Sequence, residues 1–452
     1  MRGRHGSLGV GCNRLTLNPP MAVRRILLVM MQPPGSNGVQ GLIYDKILPY
    51  LDDYGWELHF AGPSPSMASV LTEKVNCHPS RLHYSTNVSW SKRFSVLRNR
   101  CRNRSLLSFI YGFLQLISSR LELLLRHDPQ RYTVAGLRRV VREAEAQWNY
   151  DLIAGKTPDF LVLDEVASLA LEMNKPVVAL IDDPHGYRNE LGFTPQDPEK
   201  QQKILHQCCG AVFMSPVTRD RYVQAGLIDP DKTYAMTDSY PVSASFYAAR
   251  SGGFARRGDP IRASAPDDDR LHLVYLGMLP EWRPIEALLT AVEAVPISVQ
   301  IDIFGYLYPE AKQVIQANPA LSHAIRINRS VSYEASHNLA EDSMGLLVVI
   351  GPRHVDNQPS KFFEYLGHCK PCLVLGPKGN PIEALIRDLE IGVYCDIGSS
   401  ESICAGIMNF YRDYCFYVEA FQRNHELIEN YSAPRVARRW ADCLNAMLSR
   451  AI

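Results

Sequence analysis

The chain has 452 residues, of which 46% are hydrophobic and 21% charged, and its formal net charge is +1. This composition excludes disordered, collagen-like and coiled-coil proteins. The length predicts about two to three domains at roughly 150 residues per domain. Nucleic acid is not expected as a partner, because contact with many phosphates needs an excess of basic residues. No run of about 18 apolar residues is present, so no membrane-spanning helix is predicted.

The first residues and the cysteines indicate a reducing compartment. Residues 1–20 lack the apolar centre of a secretory signal, and we predict a disordered leader there. The 11 cysteines are odd in number and include the adjacent pair Cys208 and Cys209. Without a secretory signal, this cysteine usage is typical of a reducing compartment. We therefore expect a cytoplasmic protein.

Residues 21–250 alternate between strand and helix patterns, as in a parallel α/β sheet. Residues 24–30 form a short apolar run, residues 32–38 are rich in Pro and Gly, and residues 39–54 have apolar side chains at helical spacing. This order predicts a strand, a glycine turn and a helix, which open a Rossmann-like domain. The further strands predicted in this domain are residues 160–163, 177–181 and 211–214.

A second α/β series follows a region of different composition. Residues 251–270 are rich in Gly, Ala, Pro and charge without periodicity, and we interpret them as an interdomain linker. Residues 271–432 predict a second Rossmann-like domain, and residues 433–452 a helix that could cross back to the first domain. The strands predicted in the second domain are residues 271–276, 298–304, 345–350, 372–375 and 392–395.

The run 356–376 carries the most informative polar residues. Pro359 precedes a short predicted helix on which Lys361 and Glu364, three residues apart, share one face, and a buried strand follows. Parallel sheets bind ligands at the carboxyl ends of their strands, where a lysine can hold a diphosphate and a carboxylate can bind ribose hydroxyls. The alternative is a surface helix with an ion pair between these two side chains.

This run resembles the nucleotide-sugar-binding signature of GT-B glycosyltransferases, especially the group-4-like retaining enzymes. The signature has P-x-K, then E-Y/A-x-A-x-G-x-P before a strand. Gly367 and Cys369 stand where the family has alanine and glycine, and Asp356, eight residues before Glu364, matches the first of its two acidic residues. The residues that match the pattern directly are Pro359, Lys361, Glu364, Tyr365 and Pro371.

The resemblance implies an α/β protein of the GT-B class, with two Rossmann-like parallel-sheet domains that face a cleft. It also implies a hexosyltransferase that moves a sugar from a nucleotide-diphosphate sugar to an acceptor, with retention at the anomeric carbon. The acceptor would lie mainly on the N-terminal domain and would be a glycan, a lipid-linked molecule or a small molecule. Such an enzyme would serve polysaccharide or glycoconjugate biosynthesis.

The same resemblance implies roles for individual residues. Lys361 and Arg283 would stabilise the leaving diphosphate. Glu364 would bind the ribose, and Asp356 the donor sugar. The remaining candidates for donor binding are Asn357, Gln358, Ser360, Gly277 and Gly305.

Two segments of the N-terminal half resemble the family in part. Gly35 and Gly38 lie in the loop after the first predicted strand, which is similar to the family's glycine loop. Asp182 stands where the family often has a histidine that contacts the donor sugar, and His185 follows three residues later. Either residue could face the reacting sugar, and a solvated loop histidine is the alternative for His185.

The loop after residues 271–276 is similar to the family's diphosphate loop, but it carries fewer cations. Gly277 matches the family, Met278 replaces its arginine, and Arg283 is the cation that remains. Cations fixed around the leaving oxygen can lower the barrier by several kcal/mol, so neither a metal nor another cofactor is expected. We interpret the acidic residues at 182–183 and 267–269 as solvated rather than as metal ligands.

Residues 92–125 combine charge with an apolar helix pattern. Residues 92–104 carry six positive charges and no negative one, and an apolar segment with aromatic residues follows. This combination fits an anionic membrane surface, which would make the protein peripheral at the inner face of the membrane. The alternative is a helix packed against the N-terminal sheet with its arginines in solvent.

Two other functional classes stay open. Nucleotide-sugar epimerases have the same architecture and would form product without an acceptor. A catalytically silent subunit that binds a sugar nucleotide is the second alternative, because Met278 and Asp182 replace expected residues. The base, the sugar and the acceptor depend on loops that a single sequence does not assign.

Overall fold

A computed structural model gives the positions of most of the chain between residues 23 and 451. The described ranges are 23–34, 39–64, 77–85, 93–95, 97–98, 105–124, 129–157, 160–189, 192–241 and 270–451.

The N-terminal half is built on a seven-stranded sheet in which all neighbouring strands are parallel. The strand order is β3-β2-β1-β4-β5-β8-β9. An antiparallel hairpin of β6 and β7 follows β5. The central strands are buried throughout because helices cover both faces, which explains their continuous apolar sequences. The strands are β1 (Arg24–Val29), β2 (Trp56–Pro63), β3 (Leu82–Ser85), β4 (Leu152–Lys156), β5 (Val177–Ile181), β6 (Gly186–Asn189), β7 (Gly192–Pro195), β8 (Gly210–Phe213) and β9 (Thr233–Ala235).

The C-terminal half contains a second parallel sheet, of six strands, in the order β12-β11-β10-β13-β14-β15. Its order reverses beside β10, and ligands bind at such switch points in open α/β sheets. The strands are β10 (Arg270–Leu276), β11 (Ser298–Phe304), β12 (Ile325–Asn328), β13 (Gly345–Val349), β14 (Cys372–Gly376) and β15 (Gly392–Asp396). The two-sheet α/β architecture predicted from the sequence is confirmed.

The helices of the described residues alternate with these strands. In the N-terminal half they are α1 (Val39–Leu51), α2 (Ser105–Leu124), α3 (Pro129–Trp148), α4 (Phe160–Glu172), α5 (Pro198–Gln207) and α6 (Pro216–Gln224). In the C-terminal half they are α7 (Glu286–Ala294), α8 (Pro309–Ala317), α9 (Pro319–Ala324), α10 (Tyr333–Asp342), α11 (Ser360–Leu366), α12 (Pro381–Leu389), α13 (Ser400–Arg412), α14 (Tyr414–Arg423), α15 (His425–Glu429) and α16 (Ala433–Ala451).

One predicted strand is wrong. Residues 160–163 begin helix α4, and the strand of this unit is β4, eight residues earlier in the chain. Both segments are short apolar runs, and periodicity does not separate a buried strand from the start of a buried helix. The length of the segment distinguishes a helix from a strand here, because the apolar pattern of α4 continues for 13 residues.

The last helix, α16, returns to the N-terminal half. Trp440 and Met447 belong to the same apolar cluster as Trp56 and Phe60 of β2. The chain also passes between the halves near Tyr240. The backbone N–H of Tyr240 donates to the carbonyl of Tyr431, and its carbonyl accepts from the N–H of Ala433. The two crossing segments therefore run side by side and connect the lobes.

Several predictions fall outside the described residues. The leader 1–20 lies there, as does the linker 251–270 except for Arg270, which begins β10. The domain limits stay predictions. Within the described part of the chain, no helix has both the length and the apolarity needed to cross a bilayer.

Candidate functional site

The carboxyl ends of β10 and β11 lie very close together, and a glycine follows each strand at this point. Gly277 and Gly305 follow these strands with φ values of 123° and 144°, which side chains of L-residues rarely allow. A Cβ atom on Gly305 would lie 2.0 Å from the carbonyl oxygen of Gly277. Both positions therefore require glycine, and the exposed strand ends leave backbone accessible beside them.

Lys361 of α11 lies directly over this strand end. A Cβ atom on Gly277 would lie 1.7 Å from its Nζ atom, and Nζ lies 5.3 Å from the ring centre of Tyr275. Burial, with a contribution from Arg283, lowers the pKa of Lys361 to about 8, although Glu364 acts in the opposite sense. Among the described residues no carboxylate forms an ion pair with this ammonium group. The arrangement leaves a half-buried cation available for an anion.

Arg283 provides a second cation on the loop that follows β10. Its Nη1 atom donates to the carbonyl oxygen of Met278 at 3.2 Å, and its guanidinium lies 4.6 Å from the ring centre of Trp282. Its Nε atom is buried and has no hydrogen-bond partner among the described residues. Because an unpaired buried donor is costly, this atom is suited to an acceptor on a ligand.

Glu364 lies one turn after Lys361 and joins the two halves of the protein. Its Oε1 atom accepts from Nζ of Lys46 on α1 at 3.0 Å. Lys46 also donates to both carboxylate oxygens of Asp238 at 3.1 and 3.0 Å and to the carbonyl of Ser239 at 3.0 Å. One buried lysine is thus saturated by three acceptor residues from two segments of the chain.

This network keeps Glu364 ionised. Burial by itself raises the pKa of Glu364, but Lys46 most of all, and then His337 and Lys361, lower it below its usual range. Burial and the nearby carboxylate of Glu364 raise the pKa of the Tyr333 hydroxyl. Binding of ribose by Glu364 stays a prediction, and in the structure the carboxylate links the lobes.

Asp356, the other acidic residue of the signature, is fully buried between the lobes. The Thr218 hydroxyl donates to its Oδ2 atom at 3.2 Å, and Nη1 of Arg221 lies 3.7 Å from the same oxygen. Both partners belong to α6 of the N-terminal half. The predicted contact of Asp356 with the donor sugar is untested, whereas its contact with α6 is direct.

The loop that carries the remaining predicted donor residues is held by Asn380. Its side-chain amide donates to the carbonyl oxygens of His354 at 3.0 Å and of Asn357 at 2.9 Å. The Oε1 atom of Gln358 is buried without a partner among the described residues. Ser360 begins α11, so this loop places Gln358 and Lys361 within one turn.

In the N-terminal half, Asp182 follows β5 and forms a buried ion pair with Lys156 at the end of β4. The Lys156 ammonium also lies 3.2 Å from the hydroxyl of Tyr44. Burial raises the pKa of Asp182, and Lys156 acts in the opposite sense. His185 lies further along, with its ring stacked on Phe160 at 4.6 Å. Gly35 and Gly38 lie outside the described residues.

Solved structures with a similar arrangement of two sheets include glycosyltransferases. Sucrose-phosphate synthase from Thermosynechococcus elongatus is 12% identical, with a TM-score of 0.63 over 94% of this chain and 99% of that chain. A Rickettsia africae glycosyltransferase is 14% identical, with a TM-score of 0.57 over 94% and 98%. Anabaena HepE in complex with UDP-glucose is 14% identical, with a TM-score of 0.55 over 93% and 99%. No protein-family model matches the sequence, and no curated protein does.

The chain has the GT-B fold. At such low identity the likeness concerns the fold, so the chemistry must be argued from the residues of the site. In this GT-B protein, Lys361, Arg283, Gly277 and Gly305 meet at one sheet edge. Asp182 and His185 belong to the other sheet.

Sequence reasoning missed the buried lysines of this GT-B protein. Lys46 interrupts the apolar face of α1, and Lys156 ends an apolar strand. A charged residue at a position that the pattern assigns to the core is a signal in itself, because lysine is almost never buried without a partner. The sequence did not identify the partners, since Asp238 and Glu364 are distant along the chain.

Proposed function

We propose that the protein is a glycosyltransferase of the hexosyltransferase type that uses a nucleotide-diphosphate sugar, with UDP-sugars as the first candidates. One observation carries this proposal. The half-buried Lys361 ammonium lies against the ring of Tyr275 and the backbone of Gly277, and it forms no ion pair with a carboxylate among the described residues. A diphosphate is the ligand that such a cation at a parallel strand end suits.

The proposed reaction moves charge toward this pocket. The bond between the anomeric carbon and the diphosphate oxygen breaks, and its electron pair stays on the departing diphosphate. Lys361 and Arg283 stabilise that charge, which is greatest in the transition state. An acceptor hydroxyl bonds to the anomeric carbon, and its proton passes to the departing phosphate oxygen. Lys361 and Arg283 would provide the positive charge that a metal ion provides to the leaving diphosphate in other enzymes. We therefore include metal independence in the proposal.

The finer points rest on the sequence resemblance. We propose retention at the anomeric carbon, an acceptor bound mainly by the N-terminal half, and a role for Asp182 or His185 opposite the donor. A glycan, a lipid-linked molecule and a small molecule stay candidates for the acceptor. A cytoplasmic location with peripheral contact to the membrane through residues 92–125 belongs to the same proposal.

A panel of nucleotide sugars tests the donor assignment. Release of nucleoside diphosphate is measured with and without pools of acceptors, for the wild-type protein and for Lys361→Met. We expect acceptor-dependent release that Lys361→Met removes. Conversion of the donor sugar without an acceptor would favour an epimerase. Calorimetric binding without turnover, for every donor and acceptor tried, would favour a silent subunit.

Two further measurements address stereochemistry and metal. Proton NMR of the first product gives the anomeric configuration, and retention predicts the configuration of the donor. Turnover in EDTA should equal that in magnesium if Lys361 and Arg283 alone stabilise the leaving group. Loss of activity in EDTA with recovery on adding metal contradicts that part of the proposal.

A further inference from the structure

Lys46 reaches the candidate site from the other half of the protein. It lies on α1 and is buried, a position at which lysine is rarely found without partners. Its Nζ atom donates to Oε1 of Glu364, to the carboxylate of Asp238 and to the carbonyl of Ser239, at 3.0 or 3.1 Å in each case. An ammonium group has three protons, so these three residues leave none for a ligand. Lys46 can therefore act on a ligand only through Glu364.

Glu364 is the part of this network that a ligand can reach. Its side chain is 19% exposed, whereas those of Lys46 and Asp238 are 6% and 2% exposed. The hydrogen bond from Lys46 goes to Oε1, and an ionised carboxylate has about four positions that accept hydrogen bonds. Glu364 can therefore accept hydrogen bonds from a ligand while it keeps its contact with Lys46.

The position of Glu364 determines which group of a ligand it would meet. Lys361 precedes it by three residues on α11, about 4.5 Å along the helix axis, and the two side chains share one face. In the proposed function Lys361 holds the diphosphate of a nucleotide, and the sugar joined to that diphosphate is a ribose with two neighbouring hydroxyls. A hydroxyl donates hydrogen bonds, and an ionised carboxylate accepts them. The ribose hydroxyls are therefore the groups that suit Glu364.

Lys46 has the largest effect on the charge of this carboxylate. Burial raises the pKa of Glu364 and favours its neutral form, and Lys46 is the strongest of the influences that lower this pKa. A hydrogen bond to an ionised carboxylate is about twice as strong as a bond between neutral groups. The ion pair also fixes Oε1, which restricts the directions in which the other oxygen can point. Both effects act on the atom that a hydroxyl would contact.

We infer that Lys46 is a positioning residue for the donor, which holds Glu364 ionised and oriented for the ribose hydroxyls. Nucleotide binding by the C-terminal half then depends on a residue of the N-terminal half. Because such coupling is reciprocal, a bound nucleotide also strengthens the contact between the halves. This inference rests on the proposed function and adds to it the residue that fixes the ribose-binding carboxylate. The alternative is a network that only joins the two halves.

Isothermal titration calorimetry with the full-length protein tests the inference. The nucleoside diphosphate that binds most tightly among UDP, ADP and GDP is compared with its 2′,3′-dideoxy form, which lacks both ribose hydroxyls. The ratio of the two affinities measures the contribution of these hydroxyls within each variant. We expect a ratio of at least about tenfold in the wild-type protein, because the dideoxy form lacks the hydrogen bonds to a charged group.

Variants at both ends of the ion pair should reduce this ratio. We expect Lys46→Met and Glu364→Gln each to lower it to less than about threefold, because each removes the ionised carboxylate or its cation. Lys378→Met removes a lysine that is 85% exposed, and this control should keep the wild-type ratio. Circular dichroism verifies folding. Lys46→Met with Asp238→Asn replaces Lys46→Met if that variant does not fold, because the double change leaves one fewer buried charge without a partner.

The outcomes distinguish this inference from the proposed function. A Lys46 that only stabilises the protein would lower the affinities for both nucleotides equally, so an unchanged ratio in Lys46→Met overturns the inference alone. A wild-type ratio near one does the same, since the ribose hydroxyls would then contribute nothing. Inorganic pyrophosphate binds without a ribose, and its affinity reports the diphosphate pocket separately. If the wild-type protein binds neither pyrophosphate nor any of the three nucleotides, the proposed function fails together with the inference.

Discussion

The two sheets present opposite electrostatics at the ends of their strands. In the N-terminal sheet, Lys156 is buried against Asp182, so both charges are compensated within the protein. In the C-terminal sheet, Lys361 also lies at a strand end, beside the ring of Tyr275 and the backbone of Gly277, but it forms no ion pair among the described residues. Two sheets with a similar order of strands therefore differ, since one edge has its lysine paired with a carboxylate and the other has a lysine available for an anion.

Lys46 and Lys156 form ion pairs that stabilise the protein, whereas Lys361 is available to a ligand. A buried ion pair is costly to break because the remaining charge is left without a partner. At half-buried Lys361 no ion pair among the described residues offsets the desolvation of the ammonium group, and this desolvation lowers its pKa. Methionine has a similar length and no charge. Replacing the paired Lys46 by methionine should lower the free energy of unfolding, whereas the same replacement of Lys361 should leave it unchanged or raise it.

The largest effect is expected at the paired lysines. Lys46→Met leaves Asp238 and Glu364 buried without their cation, so the free energy of unfolding should fall by about 3–5 kcal/mol. Denaturant titration measures this loss. Lys378 is 85% exposed beside Asp396 at 3.6 Å, so Lys378→Met is the control and should cost less than about 1 kcal/mol. Equal losses in the two variants would remove the distinction between buried and exposed pairs.

Lys361→Met should leave stability unchanged or increased, because a desolvated charge is removed. We expect kcat to fall by about 10²–10³-fold, as when one stabilising group of a developing anion is lost. Steady-state rates with the best donor of the panel measure this effect. Lys361→Arg retains a cation and should recover part of the activity. Full activity in Lys361→Met would exclude this lysine from catalysis and would break the contrast between the sheets.

A smaller effect is expected at the glycine beneath Lys361. In Gly277→Ala the new Cβ atom meets Nζ at 1.7 Å and displaces the ammonium group, so UDP affinity should fall by about tenfold or more. Gly379 also has a positive φ, of 76°, but a Cβ atom there meets nothing within 4 Å. Gly379→Ala therefore places a side chain at a positive φ without displacing the ammonium group, and it should bind UDP normally. Calorimetry on both variants separates strain from displacement.

The smallest effect is the dependence of binding on pH. A lysine with a pKa of about 8 is protonated below that value and loses its charge above it. UDP affinity should therefore be constant from pH 6.5 to 7.5 and should fall by up to about tenfold per pH unit above 8. Lys361→Arg should flatten this profile, because arginine stays charged. A wild-type profile that is flat to pH 9.5 would contradict the unpaired state of Lys361.

The predicted strands show which parts of the secondary structure the local sequence pattern predicts. Residues 298–304 were bounded correctly because Val299, Ile301 and Ile303 alternate with polar residues, which is the period of a strand and not of a helix. The start of α4 was misassigned, since its first four residues read equally well as a strand. The signature around Lys361 and Glu364 predicts a donor site in this segment, and that assignment stays a prediction. It did not reveal that Glu364 contacts Lys46, 318 residues away.

By itself the sequence determined two parallel α/β sheets, because buried parallel strands need continuous apolar runs at regular spacing. It also determined the resemblance around Lys361 and the basic segment before α2. Only the tertiary structure decided which charges are paired, since Lys46, Asp238 and Glu364 meet through contacts between the lobes.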